Sequence, residues 1–179
     1  MLVTKPYNRE RAVEYALRWA MGRNPLFTNF AGIGGDCTNF VSQSIYAGSC
    51  VMNYTPTFGW YYIDSSNRAP AWSGVEFFYN FITSNSGVGP YGSLVGEGEL
   101  LPGDVIELGN EMGQFYHTLI VTGSEEDTYL ISAHTDDSRN RRLDTYNFAT
   151  ARYIHIEGIR FEMDEGEDCF ENLINGISL

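Results

Sequence analysis

Beyond Asp104 the chain changes character. The runs "DVIEL", "HTLIVT", "TYLISAHT" and "RYIHIEGI" concentrate β-branched and aromatic residues, the composition of short antiparallel strands. Upstream the pattern is helical. From Asn8 to about Met21, Val13, Ala16, Leu17 and Ala20 recur at three- and four-residue spacing, with Asn8 as N-cap. A second helix is expected to start near Cys37, with Phe40, Val41, Ser44 and Ile45 inward and Gly48 ending it. A third is expected after an S-x-x-E capping box, Ser73 to Glu76. Residues 49–72, aromatic and irregular, read as a long ordered loop, and "SGVGPYGSLVGEGE" as a glycine-rich connector. Helices first and a sheet afterwards is an α+β arrangement, not the alternation of a doubly wound fold. With 179 residues and no internal repeat, one domain is expected.

Charge narrows the partners. The net charge is −12, from 11 basic and 23 acidic residues, so a phosphate backbone would be repelled and nucleic acid is disfavoured. The stretch "EMDEGEDCFE", Glu162 to Glu171, holds six carboxylates and no base, which reads as a solvated acidic tail over 162–179. No run approaches the roughly 18 apolar residues of a membrane span, and no signal-peptide pattern is visible. The three cysteines, Cys37, Cys50 and Cys169, form no CxxC pair. Their odd number leaves at least one thiol free, and Cys50 and Cys169 are either reduced or joined to each other.

The stretch "AGIGGDCTNFVSQ", Ala31 to Gln43, puts glycines, an Asp and a Cys at a helix start. A phosphate loop would need a Lys and a leading strand, and the dinucleotide fingerprint fails because Cys37 stands where its third glycine belongs. The remaining chemistry makes Cys37 the first residue of a helix capped by Asp36, where free N–H groups and the helix dipole favour the thiolate. The charge of Asp36 opposes that thiolate, so a histidine is needed to complete the activation. The glycines, Gly35 among them, would let substrate approach the backbone, and the Cys37 N–H would receive an oxyanion. Against this stands the common fate of a lone Cys, a small buried residue behind a turn.

Three histidines can decide between them: His117, His134 and His155. A four-residue "SEED" hairpin loop pairs Gly123 with Thr128 and puts His134 directly opposite His117, so that His117 acts as base and His134 as its orienter. A register slip of one residue would put them on opposite faces, leaving Asp136 as the alternative third residue. His155 reads as structural or exposed. Zinc held by Cys37, His117 and His134 is the competing chemistry, but no element supplies two ligands at a recognised spacing, so no metal and no cofactor is expected.

The segments "YNRERAVEYALRWA", "GRNPLF", "GGDCTNFVSQ", "LLPGDVIEL", "HTLIVTG" and "ISAHTDD" occur in an order that resembles the bacterial putative amidase domain family, within the papain-like group that includes NlpC-like and CHAP cell-wall amidohydrolases. The resemblance covers about residues 5 to 160. It implies a papain-like α+β domain over 1–161, N-terminal helices, one carrying the Cys, packed on a small antiparallel β-sheet carrying the His. By position Cys37 matches the nucleophile, His117 the base and His134 the third residue. Papain-like relatives use an oxyanion donor upstream of the Cys, for which Asn29 is the nearby amide. Asp36, Gly35 and Tyr116, beside His117, complete the candidate oxyanion and substrate contacts. The implied activity is amide hydrolysis through a Cys thioester, on a peptide or peptidoglycan-derived substrate, with an extracytoplasmic or cell-envelope location. A non-catalytic reading keeps the fold and uses the aromatic stretch Tyr54 to Trp72 to hold a glycan or a protein.

Overall fold

A computed structural model describes residues 1–163 and 168–179. In chain order it contains β1 (Leu2–Lys5), α1 (Arg9–Trp19), α2 (Cys37–Ser49), β2 (Tyr62–Asp64), β3 (Asn67–Arg68), α3 (Pro70–Ser73), α4 (Val75–Ser84), β4 (Gly89–Val95), β5 (Val105–Gly109), β6 (Phe115–Glu125), β7 (Thr128–Ala133), β8 (Ser138–Arg142), β9 (Thr150–Glu162) and α5 (Phe170–Ile174). The architecture is mixed α plus β, and the expected helices-then-sheet order is only approximate, since β1 precedes α1 and α5 follows β9. Seven strands form one antiparallel sheet in the order β1-β9-β5-β6-β7-β8, with β4 paired to β9 outside that path, while β2 and β3 form a small separate hairpin.

Helix α2 is the keystone of the packing. All of its residues, from Cys37 to Ser49, are buried, as expected only of a helix enclosed on every side. Its larger polar side chains find partners. Gln43 accepts from Tyr15 at 2.6 Å, Ser42 from the Trp60 indole at 3.0 Å, and Asn39 from the Trp72 indole at 2.9 Å. Burial without partners would cost about 1–3 kcal/mol per group. Gly48 does not end this helix. A Cβ there would lie 2.6 Å from the Asn8 carbonyl oxygen, so the glycine admits the start of α1, and the left-handed cap is Cys50 at φ 54°.

Sequence periodicity located α1 well. The Asn8 Oδ1 accepts the Arg11 N–H at 3.1 Å, the expected N-cap. The Ser73 to Glu76 capping box does not form: Gly74 occupies the N-cap of α4, Ser73 closes α3, and Glu76 turns to Arg152. The four expected strands are present as β5, β6, β7 and β9, and three more join them. One of these, β4, is built from the glycine-rich connector, where Gly92 lets β4 lie close to the His155 carbonyl.

The hairpin between β6 and β7 differs from expectation. Glu125 pairs with Thr128 around a two-residue turn, and a bulge between Val121 and Gly123 brings Ile120 opposite Ser132. Glu126 takes φ 50°, the left-handed geometry that matches strand twist in tight hairpins. Continuing this register sets His134 across from Thr118, not His117, so the two imidazoles fall on opposite faces.

The stretch expected as a solvated acidic tail also differs where it is described; residues 164–167 lie outside the described residues. Glu162 ends β9, and Phe170, Leu173 and Ile174 of α5 are buried in the main core. Apolar spacing in "CFENLI" outweighs the flanking carboxylates. Cys169 joins Cys50 in a disulfide across a separation of 119 residues, so α5 is tied to the end of α2. Closing a loop of this length restricts the unfolded chain strongly. Replacing Cys169 with Ser should lower the unfolding free energy by about 2–4 kcal/mol, measured by urea denaturation, with a steeper slope because the released chain exposes more surface.

Candidate active site

The turn leading into α2 sets the position of Cys37. Gly34 and Gly35 take φ of 110° and 90°, conformations open to glycine and closed to most other residues, and they leave bare backbone beside the thiol. Asp36 occupies the N-cap position, yet its side chain makes no capping bond. It turns inward instead. The Oδ1 atom accepts from Phe30 N–H at 3.0 Å and Asn39 Nδ2 at 2.8 Å, and Oδ2 lies 2.5 Å from His134 Nδ1. Burial alone would push this carboxyl up, and the bonds from His134, Asn39 and Phe30 together hold it below the usual carboxylate range. The first-turn N–H groups of α2 therefore carry no side-chain cap.

His134 belongs to this structural knot and not beside His117. Its Nε2 is 2.9 Å from the Trp19 carbonyl oxygen and its ring stacks on Phe40 at 4.1 Å. With both nitrogens so engaged, it does not orient His117, and the expected base–orienter pair is corrected. Asp36 is equally enclosed and offers substrate nothing. Asn29 is withdrawn too: its Oδ1 accepts the Ala31 N–H at 2.9 Å in a local turn, and it does not line the cleft described next.

Cys37 and His117 line one cleft of about 390 Å³, together with Gly35, Tyr116, Asp136 and Arg141. His117 pairs with Leu108 of β5 at the strand end where the cleft opens. Asp136 is brought there by the β7–β8 turn, in which Thr135 and Asp136 both have positive φ, 66° and 57°. Two consecutive non-glycine residues held left-handed are a costly local arrangement of the kind found where a side chain must be aimed. Tyr146 stands 6.0 Å from His117, ring to ring, and the Arg141 guanidinium lies over the Tyr146 ring at 3.7 Å. The junction of α3 and α4, Ser73 to Val75, forms another wall.

Burial favours the neutral forms of both Cys37 and His117. Burial pushes the Cys37 thiol up, against hydrogen bonds from Thr118 and Thr38 that lower it. The expected helix-start thiolate is thereby reversed. Burial likewise takes His117 down to about 4, with Asp136 pulling it back up and Arg141 pushing it down. His155 is structural: its Nδ1 lies 2.8 Å from Asp104 Oδ2, whose other oxygen takes Arg9 and the Ile156 N–H. Among the described residues no cluster of three His, Cys, Asp or Glu side chains is disposed to hold a metal, and no helix is long and apolar enough to cross a membrane.

Several residues had no voice in the sequence. Arg141, Tyr146 and Asn147 reach the cleft from a segment that carries no motif. Glu107 carried a usable signal, a charge inside the apolar strand "DVIEL".

Comparison with known proteins adds to the geometry. A family model described as "Putative amidase domain" matches residues 6–156. The Bacillus subtilis (strain 168) chain named "Uncharacterized protein YhbB" is 37% identical over 140 residues, which is 75% of this chain and 43% of that protein. The chain thus spans less than half the length of that relative. No solved structure matches.

Removing His134 separates its two readings. His134→Ala removes one hydrogen bond from the buried Asp36 carboxylate, which keeps Asn39, the Phe30 N–H and the Arg23 guanidinium 3.3 Å away, and losing a hydrogen bond to a charged group costs about 1.5–3 kcal/mol; thermal and urea unfolding should show that loss. For His117, whose ring is neutral down to about 4, the NMR titration of its ring protons should fall well below the ordinary value of about 6.5.

Proposed function

The chain belongs to the putative amidase domain family, and from that premise we propose that it is a thiol amidohydrolase that cleaves a peptide amide through a Cys37 thioester. The reading rests on one observation: Cys37 and His117 share a cleft at an uncapped helix start. A Cys-bearing helix packed on an antiparallel sheet that carries the His supports a papain-like arrangement.

The chemistry follows from the neutral resting pair. His117, present as free base, takes the thiol proton as the sulfur attacks the carbonyl carbon. The tetrahedral oxyanion receives the Cys37 N–H, one of the orphan donors of the α2 first turn. The imidazolium then passes its proton to the leaving amine, and the thioester forms. Water, deprotonated by His117, attacks that thioester, releasing the acid and restoring the thiol. Asp136 replaces His134 as the group that steadies the His117 imidazolium, consistent with its upward pull on that ring. Gly35 leaves room for substrate along the backbone, and Tyr116, half exposed on the rim, contacts it.

For substrate we favour the stem peptides of peptidoglycan, on the resemblance to NlpC-like and CHAP enzymes. The Cys50–Cys169 disulfide supports work in an oxidising, extracytoplasmic compartment.

Incubating wild type and Cys37→Ala with purified peptidoglycan, followed by mass analysis of released fragments, tests this reading. Wild type should release fragments ending in a new amine and a new carboxylate, and Cys37→Ala should slow this about a thousandfold or more. Equal products from both would overturn it. Asp136→Asn should lower kcat by about tenfold to a hundredfold while leaving KM near its wild-type value.

A further inference from the structure

One buried charge takes no part in the steps above. Glu107, in the middle of β5, is wholly buried and sits opposite Thr118 of β6. Its Oε1 accepts from Arg152 Nε at 2.8 Å, and its Oε2 accepts from Thr118 Oγ1 at 3.1 Å. Thr118 Oγ1 lies 2.8 Å from Thr38 Oγ1, which lies 3.8 Å from Cys37 Sγ. Carboxylate, hydroxyl, hydroxyl and thiol form an unbroken line. Both threonines are fully buried, so bulk water does not interrupt it.

Each hydroxyl has one proton to donate, so the line has a direction. When Glu107 is ionised it only accepts. Thr118 then donates to Glu107, Thr38 donates to Thr118, and the Cys37 S–H is drawn toward Thr38 and away from His117. When Glu107 is protonated the order reverses: Glu107 donates to Thr118, Thr118 to Thr38, and Thr38 to the sulfur. The S–H is then released toward His117, and the thiolate formed by that transfer is met by a donated hydrogen bond. The reversal exchanges one proton, between Glu107 and solvent.

We propose that Glu107 is a positioning residue that acts through Thr118 and Thr38 to set whether Cys37 offers its proton to the core or to His117. This rests on the reading of Cys37 as the nucleophile. Around Glu107 the charged groups are Arg152 of β9 and Glu76 of α4, which Arg152 also reaches at 3.0 Å. Around Cys37 they are His117 of β6, Asp136 of the β7–β8 turn and Arg141 of β8. Arg152 is held between the Tyr79 and Phe115 rings at 3.5 and 3.9 Å, so the core end of the line is fixed. Burial pushes Glu107 up to about 7, with Arg152 and Thr118 opposing, so both directions are populated near neutrality. His117, at about 4, titrates separately.

Cys37 is the free cysteine of the chain, so its alkylation by iodoacetamide reads the line directly. The rate is measured against pH on the full, disulfide-intact chain for wild type, Glu107→Gln, Thr118→Val and the double variant. Gln is permanently neutral and can donate, which mimics protonated Glu107. At about pH 8.5 Glu107→Gln should react about tenfold faster than wild type, the ratio that one unit of proton affinity gives, and at about pH 5.5 the two should agree within about twofold. In the Thr118→Val background, Glu107→Gln should change the rate by less than about twofold. Thr38→Val breaks the line while leaving the Thr118 bond to Glu107, and serves in place of Thr118→Val if that variant does not fold. Superimposable profiles for wild type and Glu107→Gln overturn the proposal. So does a tenfold effect that survives the broken line, because a bare charge acting through space would produce it. Because the readout is the thiol and not turnover, hydrolysis persisting in Cys37→Ala would sink the nucleophile reading separately.

Discussion

The buried contact between Asp36 and His134 holds the site in place. Asp36 immediately precedes Cys37, and its carboxylate gathers His134 from the end of β7, Asn39 from α2 and the Phe30 N–H from the preceding loop. His134 then reaches the end of α1 through the Trp19 carbonyl and lies flat on Phe40. Four segments meet on one pair of side chains. A buried hydrogen-bonded pair of this kind is a poor source of net stability relative to an apolar replacement, yet costly to break on one side. Its consequence here is geometric. It fixes where α2 begins against the sheet, and the first residue of α2 is the thiol.

The same pair explains why the helix start is open. An N-cap Asp normally satisfies one of the four orphan N–H groups at a helix start. In this chain Asp36 faces the core, so those donors remain for something else, and the two left-handed glycines before it keep Cβ atoms away from the approach. A motif that reads as a cap followed by a nucleophile is in fact a buried anchor followed by a free thiol. The difference also removes the expected conflict between the Asp36 charge and a thiolate, since that charge is already taken up by His134 and its neighbours.

What was legible in the sequence was whatever depends on local pattern. The helix from Asn8, the start of the second helix at Cys37, the four strands and their order follow from periodicity and propensity, which act over a few residues. The pairing of His117 with His134 did not follow, because the turn is two residues rather than four and a bulge between Val121 and Gly123 then moves every later partner by one, and no residue type there announces it. The β4 strand was hidden by its glycines, of which Gly92 is present for close approach to β9 and Gly89 for its φ of 107°. The burial of α5 was hidden by the carboxylates around "CFENLI", because charge density dominates a compositional reading while three apolar side chains and a disulfide dominate the packing. In the cleft, Cys37, His117, Gly35 and Tyr116 were named from the motifs. Asp136 reads only as the alternative, and Arg141 of β8 and Tyr146 beyond it carry no motif, because the pairing of β8 with β7 that brings them to the cleft is a tertiary feature.

The resting state of the thiol turns on which of two effects is larger. A helix N-terminus stabilises an adjacent anion by about 0.3–1 kcal/mol, and by about 2 kcal/mol in favourable buried geometries. Full burial disfavours the charged form by up to about 3–5 pKa units, each worth about 1.4 kcal/mol. Desolvation outweighs the helix dipole, so a buried helix-start cysteine keeps its proton, and burial removes the charge from the neighbouring imidazole by the same physics. Thiol and imidazole are then both uncharged, and in the proposed reaction the thiolate has to be made by transfer within the cleft rather than held in advance. That requirement gives the direction of the Cys37 S–H hydrogen bond a role that it lacks in a preformed ion pair. It is also why, in the proposed chemistry, a carboxyl group two hydroxyls away, pushed up to about 7 by burial, lies within reach of the thiol.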